Sequence, residues 1–79
     1  MTHSVSSDLQ SAKRALGKRI RELRQQKGWS QTAFASRCRI DPSYVSRIEQ
    51  GEMNPRCSVL QTIANKLEVS VFALLERVT

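Results

Sequence analysis

The 79-residue sequence contains one histidine, two cysteines, three glycines, two prolines and only 5% aromatic residues. Each shortage closes a route. A zinc site needs four ligands, but the lone His3 sits in a polar N-terminal stretch, and Cys38 and Cys57 stand nineteen positions apart with no CxxC spacing. The cysteines read as reduced thiols packed as small hydrophobes. There is no second histidine, no glycine-rich phosphate loop and no pair of acids in apolar surroundings, so hydrolytic catalysis lacks its parts. No enzyme activity, catalytic residue, metal or cofactor is expected. No apolar run approaches the roughly 20 residues that cross a bilayer, and the opening MTHSVSSDLQ has no apolar stretch of signal-peptide type. The expectation is a cytoplasmic protein with no membrane partner.

What the sequence does have is positive charge. Thirteen Lys+Arg against seven Asp+Glu give +6 and an isoelectric point near 10.2. Between Ala12 and Arg39 lie nine basic residues and one acid, Glu22, so this stretch is far more basic than the rest. Such a balance favours a polyanion as partner: nucleic acid, an acidic protein or an anionic surface. With 39% hydrophobic residues the chain can build a core, but a small one, and help from a second subunit is expected.

The pattern is helical throughout, with no strand. Residues 1–6 are polar and read as a disordered tail, leaving 7–79 as one domain. Ser7-x-x-Gln10 has the form of a capping box that would open a first helix. Leu9, Ala12, Leu16, Ile20 and Leu23 then fall within an arc of about 80°, with Arg14, Lys18 and Arg21 on the opposite side. Most of the basic run is therefore a solvated helix face, ended by Gly28. Ser30 is a natural N-cap for a second helix, Gln31 to about Cys38. Asp41-Pro42, an acid at the cap and proline at the first helical position, opens a third that runs to Gln50 and stops at Gly51. A fourth helix is expected over about 57–67 and a fifth, capped by Ser70, over 71–78.

Two short helices joined by a tight turn make a helix-turn-helix unit, whose second helix can enter a DNA major groove. On a wheel of the third helix, Pro42, Ser43, Ser46, Arg47 and Gln50 share one face, and Tyr44, Val45 and Ile48 share the other. The first set is short or cationic, as contact with base edges requires. Arg47 is the leading base reader, because bidentate arginine–guanine pairing is worth about 1–3 kcal/mol of discrimination.

The stretches Trp29-Ser30-Gln31-Thr32-Ala33-Phe34-Ala35 and Ile40 to Gly51 resemble the phage-repressor/Cro-type (XRE-like) helix-turn-helix family. The likeness continues through Asn54-Pro55 and Leu60 to Ser70 and reaches back to Ile20-Arg21-Glu22-Leu23-Arg24, so it covers about residues 16–75. Many spaced matches in one frame make it specific. It implies an all-α, compact five-helix lambda-repressor-like fold that binds operator DNA, commonly as a two-fold dimer. It also implies base contacts from Ser43 and Arg47, joined here by Ser46 and Pro42. Phosphate contacts are expected from Gln31, Arg39, Gln50, Asn54, Arg56 and Ser30. Arg24 and Glu49 match a partly buried ion pair that ties the first helix to the end of the third.

Three departures from the family pattern matter. Arg39 stands where the family usually has a turn glycine, so either the turn differs or a left-handed arginine costs about 1 kcal/mol. Pro42 replaces a base-reading glutamine and offers only an apolar contact, such as with a thymine methyl. Arg56 sits at an N-cap position without being able to cap, which points it toward phosphate.

A single reading helix covers too few base pairs for genomic specificity, so a dimer on a palindrome is expected. Val71, Phe72, Leu75 and Val78 of the fifth helix form the candidate interface, because one small monomer cannot bury them all. In 79 residues there is no room for a separate ligand-sensing domain, so no small-molecule ligand is expected. Regulation by occupancy would resemble Cro-like proteins and restriction–modification controller proteins. Some family members contact RNA polymerase through acids on the second helix. Here Thr32, Ser36 and Arg37 occupy the outward positions, which favours a repressor or autoregulator over an activator. The competing class is an antitoxin-like or bridging protein that uses the same fold to bind a protein partner. An RNA role is disfavoured, since Trp29, Phe34 and Tyr44 are placed for packing.

Overall fold

In the computed structural model, residues 5–75 are described, with side chains from Leu9 onward. Five helices follow one another: α1 Val5–Gln26, α2 Gln31–Cys38, α3 Pro42–Glu49, α4 Cys57–Leu67 and α5 Val71–Leu75. Among these residues there is no strand and no helix long and apolar enough to cross a membrane.

The core takes one stripe from every helix. Leu16 and Ile20 of α1 meet Phe34, Ala35 and Cys38 of α2, Val45 and Ile48 of α3, Ile63, Ala64 and Leu67 of α4, and Leu74 of α5. Ile20, Phe34, Val45, Ile48, Ile63 and Leu74 are essentially inaccessible, each contributing roughly 1.5–3 kcal/mol by leaving water. α3 packs on both α1 and α2, α4 on α2, and α5 bridges α1 and α4.

The caps explain the boundaries. Ser30 accepts from the Ala33 N–H at 3.0 Å to open α2, and Ser70 accepts from Ala73 N–H at 3.0 Å to open α5. α2 and α4 both stop by the same device. Arg39 and Glu68 take left-handed conformations, with φ 59° and 61°. Behind Arg39, the Ile40 N–H returns to Ala35 O at 3.0 Å; behind Glu68, the Val69 N–H returns to Ala64 O at 3.0 Å. Ile40 and Val69 then tuck against the core, completing Schellman turns. The turn thus keeps its usual shape and Arg39 takes the strain. Glu68 does the same, although nothing in its local sequence announced it, and its carboxylate is paired with Lys27.

Four expectations need correction. α1 is already helical at Val5, the first described residue, ahead of the Ser7 capping box and inside the stretch read as a tail, while Gln10 Nε2 donates across the fold to Gly51 O at 3.1 Å. Leu9 is 54% exposed because the apolar stripe outruns the core and is fully buried only from Leu16. Cys38 is buried, and that burial pushes its thiol pKa up, but Cys57 is exposed at the first position of α4. The third helix ends at Glu49, with Gln50 as its cap.

Candidate nucleic-acid interface

α3 is held from behind and left open in front. Val45 and Ile48 are buried, with Tyr44 half-buried beside them, while Pro42, Ser43, Arg47 and Gln50 are exposed and Ser46 is half-buried. Proline fixes the first helical φ, and Asp41 accepts from the Ser43 N–H at 2.9 Å, so the exposed end of α3 starts cleanly. Asp41 Oδ1 also accepts from Ser43 Oγ at 2.8 Å. These bonds, the backbone one first, hold the Asp41 carboxyl below its ordinary pKa. Further along, Gln50 Nε2 donates to Ser46 Oγ at 3.1 Å. Arg47 lies 3.9 Å from Glu52, both side chains more than half exposed, a contact too weak to hold the guanidinium away from a partner.

The other end of α3 is pinned. Arg24 lies almost wholly buried and makes a two-pronged contact with Glu49, Nε to Oε2 at 2.7 Å and Nη2 to Oε1 at 3.0 Å. Its remaining nitrogen donates to Trp29 O at 2.7 Å. Gln31 Nε2 donates to Glu49 Oε1 at 3.0 Å, so α1, α2 and α3 converge on one carboxylate. Charge-assisted, bidentate bonds of this kind are among the stronger ones.

Two glycines let the backbones close on each other. A Cβ on Gly17 would sit 2.3 Å from Ile48 O and 2.8 Å from Glu49 O, so α1 and the end of α3 touch main chain to main chain. Gly51, with φ 75°, sets its α-carbon against Arg14, where a Cβ would lie 2.8 Å from Cγ and 3.0 Å from Cα. Sequence reasoning passed over Gly17. A signal was there: glycine inside a helix costs about 1 kcal/mol and persists for a packing reason.

The residues expected to meet phosphate lie on several elements. Ser30 and Gln31 stand at the start of α2, where Ser30 caps and Gln31 braces Glu49. Arg39 is exposed in the turn, and Asn54 and Arg56 are exposed between α3 and α4, with Arg56 at the cap position but making no side-chain cap bond. Arg37 is drawn elsewhere: its guanidinium carbon sits 4.5 Å from the Trp29 ring centroid, and Trp29 in turn stacks on Phe34 at 6.0 Å. On α5, Phe72 is 84% exposed and Leu75 37%, while Val71 packs against the core. Val78, the fourth residue of the expected interface, lies outside the described residues.

This architecture, with α2 and α3 as the paired short helices, defines a class, and comparison with known proteins places the chain in it. The model of the helix-turn-helix family matches residues 20–74. The HTH-type transcriptional regulator DdrOP3 of Deinococcus deserti is 38% identical over 63 residues, which cover 80% of this chain and 49% of the relative. The HTH-type transcriptional regulator SinR of Bacillus subtilis is 36% identical over 62 residues, covering 77% and 56%. Among solved structures, the restriction–modification controller protein C.AhdI from Aeromonas hydrophila superposes with a TM-score of 0.76 at 34% identity, covering 78% of this chain and 94% of that one. The clp gene regulator ClgR from Corynebacterium glutamicum gives 0.79 at 28% identity, covering 85% and 71%. The chain belongs to the helix-turn-helix family of DNA-binding transcriptional regulators. It spans about half the length of the curated relatives DdrOP3 and SinR.

Proposed function

We infer that this protein binds a palindromic operator in double-stranded DNA as a homodimer and acts in the cytoplasm as a repressor or autoregulator. The observation that carries the reading is α3 itself. Its polar, cationic face is open to solvent along Pro42, Ser43, Ser46, Arg47 and Gln50, while its far end is clamped by Arg24, Gln31 and Glu49. A reading helix needs both properties, because side chains on a rigid support meet base edges without ordering costs at each encounter. Arg47, Ser43, Ser46 and Pro42 read bases in this proposal. Gln31, Arg39, Gln50, Asn54, Arg56 and Ser30 hold the phosphates and set the register.

Dimerisation through α5 is supported by its exposed apolar side chains, Phe72 above all, continued by Leu75. Two copies related by a two-fold axis would place their reading helices about 34 Å apart, one turn of DNA. The outward residues of α2, Thr32, Ser36 and Arg37, form no acidic patch for RNA polymerase, which supports repression over activation.

Selection from random duplexes is the direct test, and the expected product is a palindrome. Arg47→Ala then relaxes one base position per half-site. Arg56→Ala instead weakens all sequences alike and makes the salt slope shallower by about 0.9 for each phosphate it no longer neutralises. If wild-type protein enriches no duplex, the face serves a protein partner instead. Sedimentation showing a monomer at tens of micromolar would remove the α5 interface.

A further inference from the structure

A serine on a reading helix ordinarily has no fixed preference, because its hydroxyl rotates to donate to a base or to accept from one. Ser43 is not free in this way. Its Oγ lies 2.8 Å from Asp41 Oδ1, and the same oxygen takes the Ser43 backbone N–H at 2.9 Å. The carboxyl is held below its ordinary pKa by those bonds, so at neutral pH it has no proton to offer. The proton in the side-chain bond belongs to Ser43, and what the hydroxyl turns outward is lone pairs.

On the DNA-binding reading above, we propose that Asp41 makes Ser43 a one-way acceptor, so that this position of α3 selects amino bases over keto bases. In the major groove adenine presents an N6 amine and cytosine an N4 amine, while guanine and thymine present O6 and O4. An acceptor-only hydroxyl bonds the first pair. Facing the second pair, it must either break a charge-assisted bond or oppose two acceptors. The same geometry turns Ser43 away from phosphate oxygens, which only accept. Asp41 acts here as a positioning residue, since its effect on DNA passes through Ser43. Ser46 supplies an internal contrast on the same face: its oxygen accepts from Gln50 Nε2, leaving its own proton to donate.

The test is duplex selection with the full chain and three variants. Asp41→Asn keeps an oxygen where both bonds end and caps a helix as well as aspartate does. Asp41→Gly caps nearly as well but has no oxygen, and Ser43→Ala removes the hydroxyl. Wild type and D41N are expected to favour adenine or cytosine about three- to tenfold at one base per half-site. D41G and S43A should flatten that position to within about twofold, with the rest of the site unchanged. Melting midpoints of D41G should stay within about 3 °C of wild type, which separates this outcome from loss of the fold. D41G retaining the preference, D41N losing it, or S43A relaxing a guanine or thymine would each overturn the proposal. So would a recovered palindrome with no position that depends on Ser43, while leaving DNA binding intact. Enrichment of no duplex by wild type would overturn both readings.

Discussion

The two ends of α3 are built on opposite principles. The end at Ile48 and Glu49 is packed backbone to backbone against Gly17, and Glu49 is gripped by Arg24 and Gln31. The end at Asp41 is exposed, and among its polar contacts are one capping carboxylate and the serine it bonds. A short helix of eight residues has little intrinsic stability, so its order must come from tertiary contacts. Concentrating those contacts at one end and along the back leaves the front, and the other end apart from its Asp41 cap, free of structural duty. Substitutions should therefore divide cleanly: along the buried back and in the clamp they cost folding, and on the open face they cost recognition.

The sharpest way to break that division is Gly17→Ala. The new Cβ would lie 2.3 Å from Ile48 O, a main-chain atom that no side-chain rotation can move aside. Separating α1 from α3 by the required distance should cost about 3 kcal/mol or more. For a domain of this size that lowers the melting midpoint by roughly 15 °C, which thermal denaturation followed by circular dichroism would show. A midpoint near wild type would mean that the α1–α3 contact is soft and the clamp lies elsewhere. Arg24→Met comes next. It strands a Glu49 carboxylate that is 2% exposed, at a cost of about 3 kcal/mol. The double variant Arg24→Met, Glu49→Leu should recover much of the loss, because the penalty is the unpaired charge and not the missing bond. A double-mutant cycle in urea measures that difference, and strict additivity would contradict it.

On the open face of α3 the expected result inverts, even one residue from the pinned end. Arg47 is more than half exposed and touches Glu52 only at 3.9 Å, so Arg47→Ala should leave stability within about 0.5 kcal/mol. Its affinity for the selected operator should nevertheless fall by about 1–3 kcal/mol, read by titration of a labelled duplex at fixed salt. Loss of stability here would show that the exposed face and the clamp of α3 are not independent.

The difference between the ends also marks what could be read from sequence. Helix positions were legible because they depend on neighbours in the chain: Ser30 before α2, Asp41-Pro42 before α3, and the apolar spacing of Leu60, Ile63, Ala64 and Leu67 in α4. The pairing of Arg24 with Glu49 was visible through family likeness. The backbone contact at Gly17 and the bond from Gln10 to Gly51 join positions 31 and 41 residues apart; a glycine inside a helix flags some close approach, but no local pattern names the partner in either case. Glu68 escaped for a different reason. Its left-handed turn is imposed by the α4–α5 junction and is tolerated without glycine. The hydroxyl direction of Ser43 depends on whether the capping carboxylate takes one bond or two, which spacing alone leaves open.

The smallest effect is expected in the turn that leads from α2 into the open end of α3, at Arg39. With φ 59° and ψ 43° this residue sits where a β-carbon costs about 1 kcal/mol. Arg39→Gly removes that strain but adds freedom to the unfolded chain, so the net gain in stability should be only about 0.5 kcal/mol. Neither hydrogen bond of the turn depends on the side chain, since both run from backbone N–H groups to Ser36 O and Ala35 O. If arginine persists there for DNA, the same substitution should weaken binding to every duplex alike and make the salt slope shallower by about 0.9 for each half-site. A variant that is more stable and binds less tightly would show strain retained for a phosphate contact. One that is more stable with unchanged salt dependence would show that the left-handed arginine makes no phosphate contact.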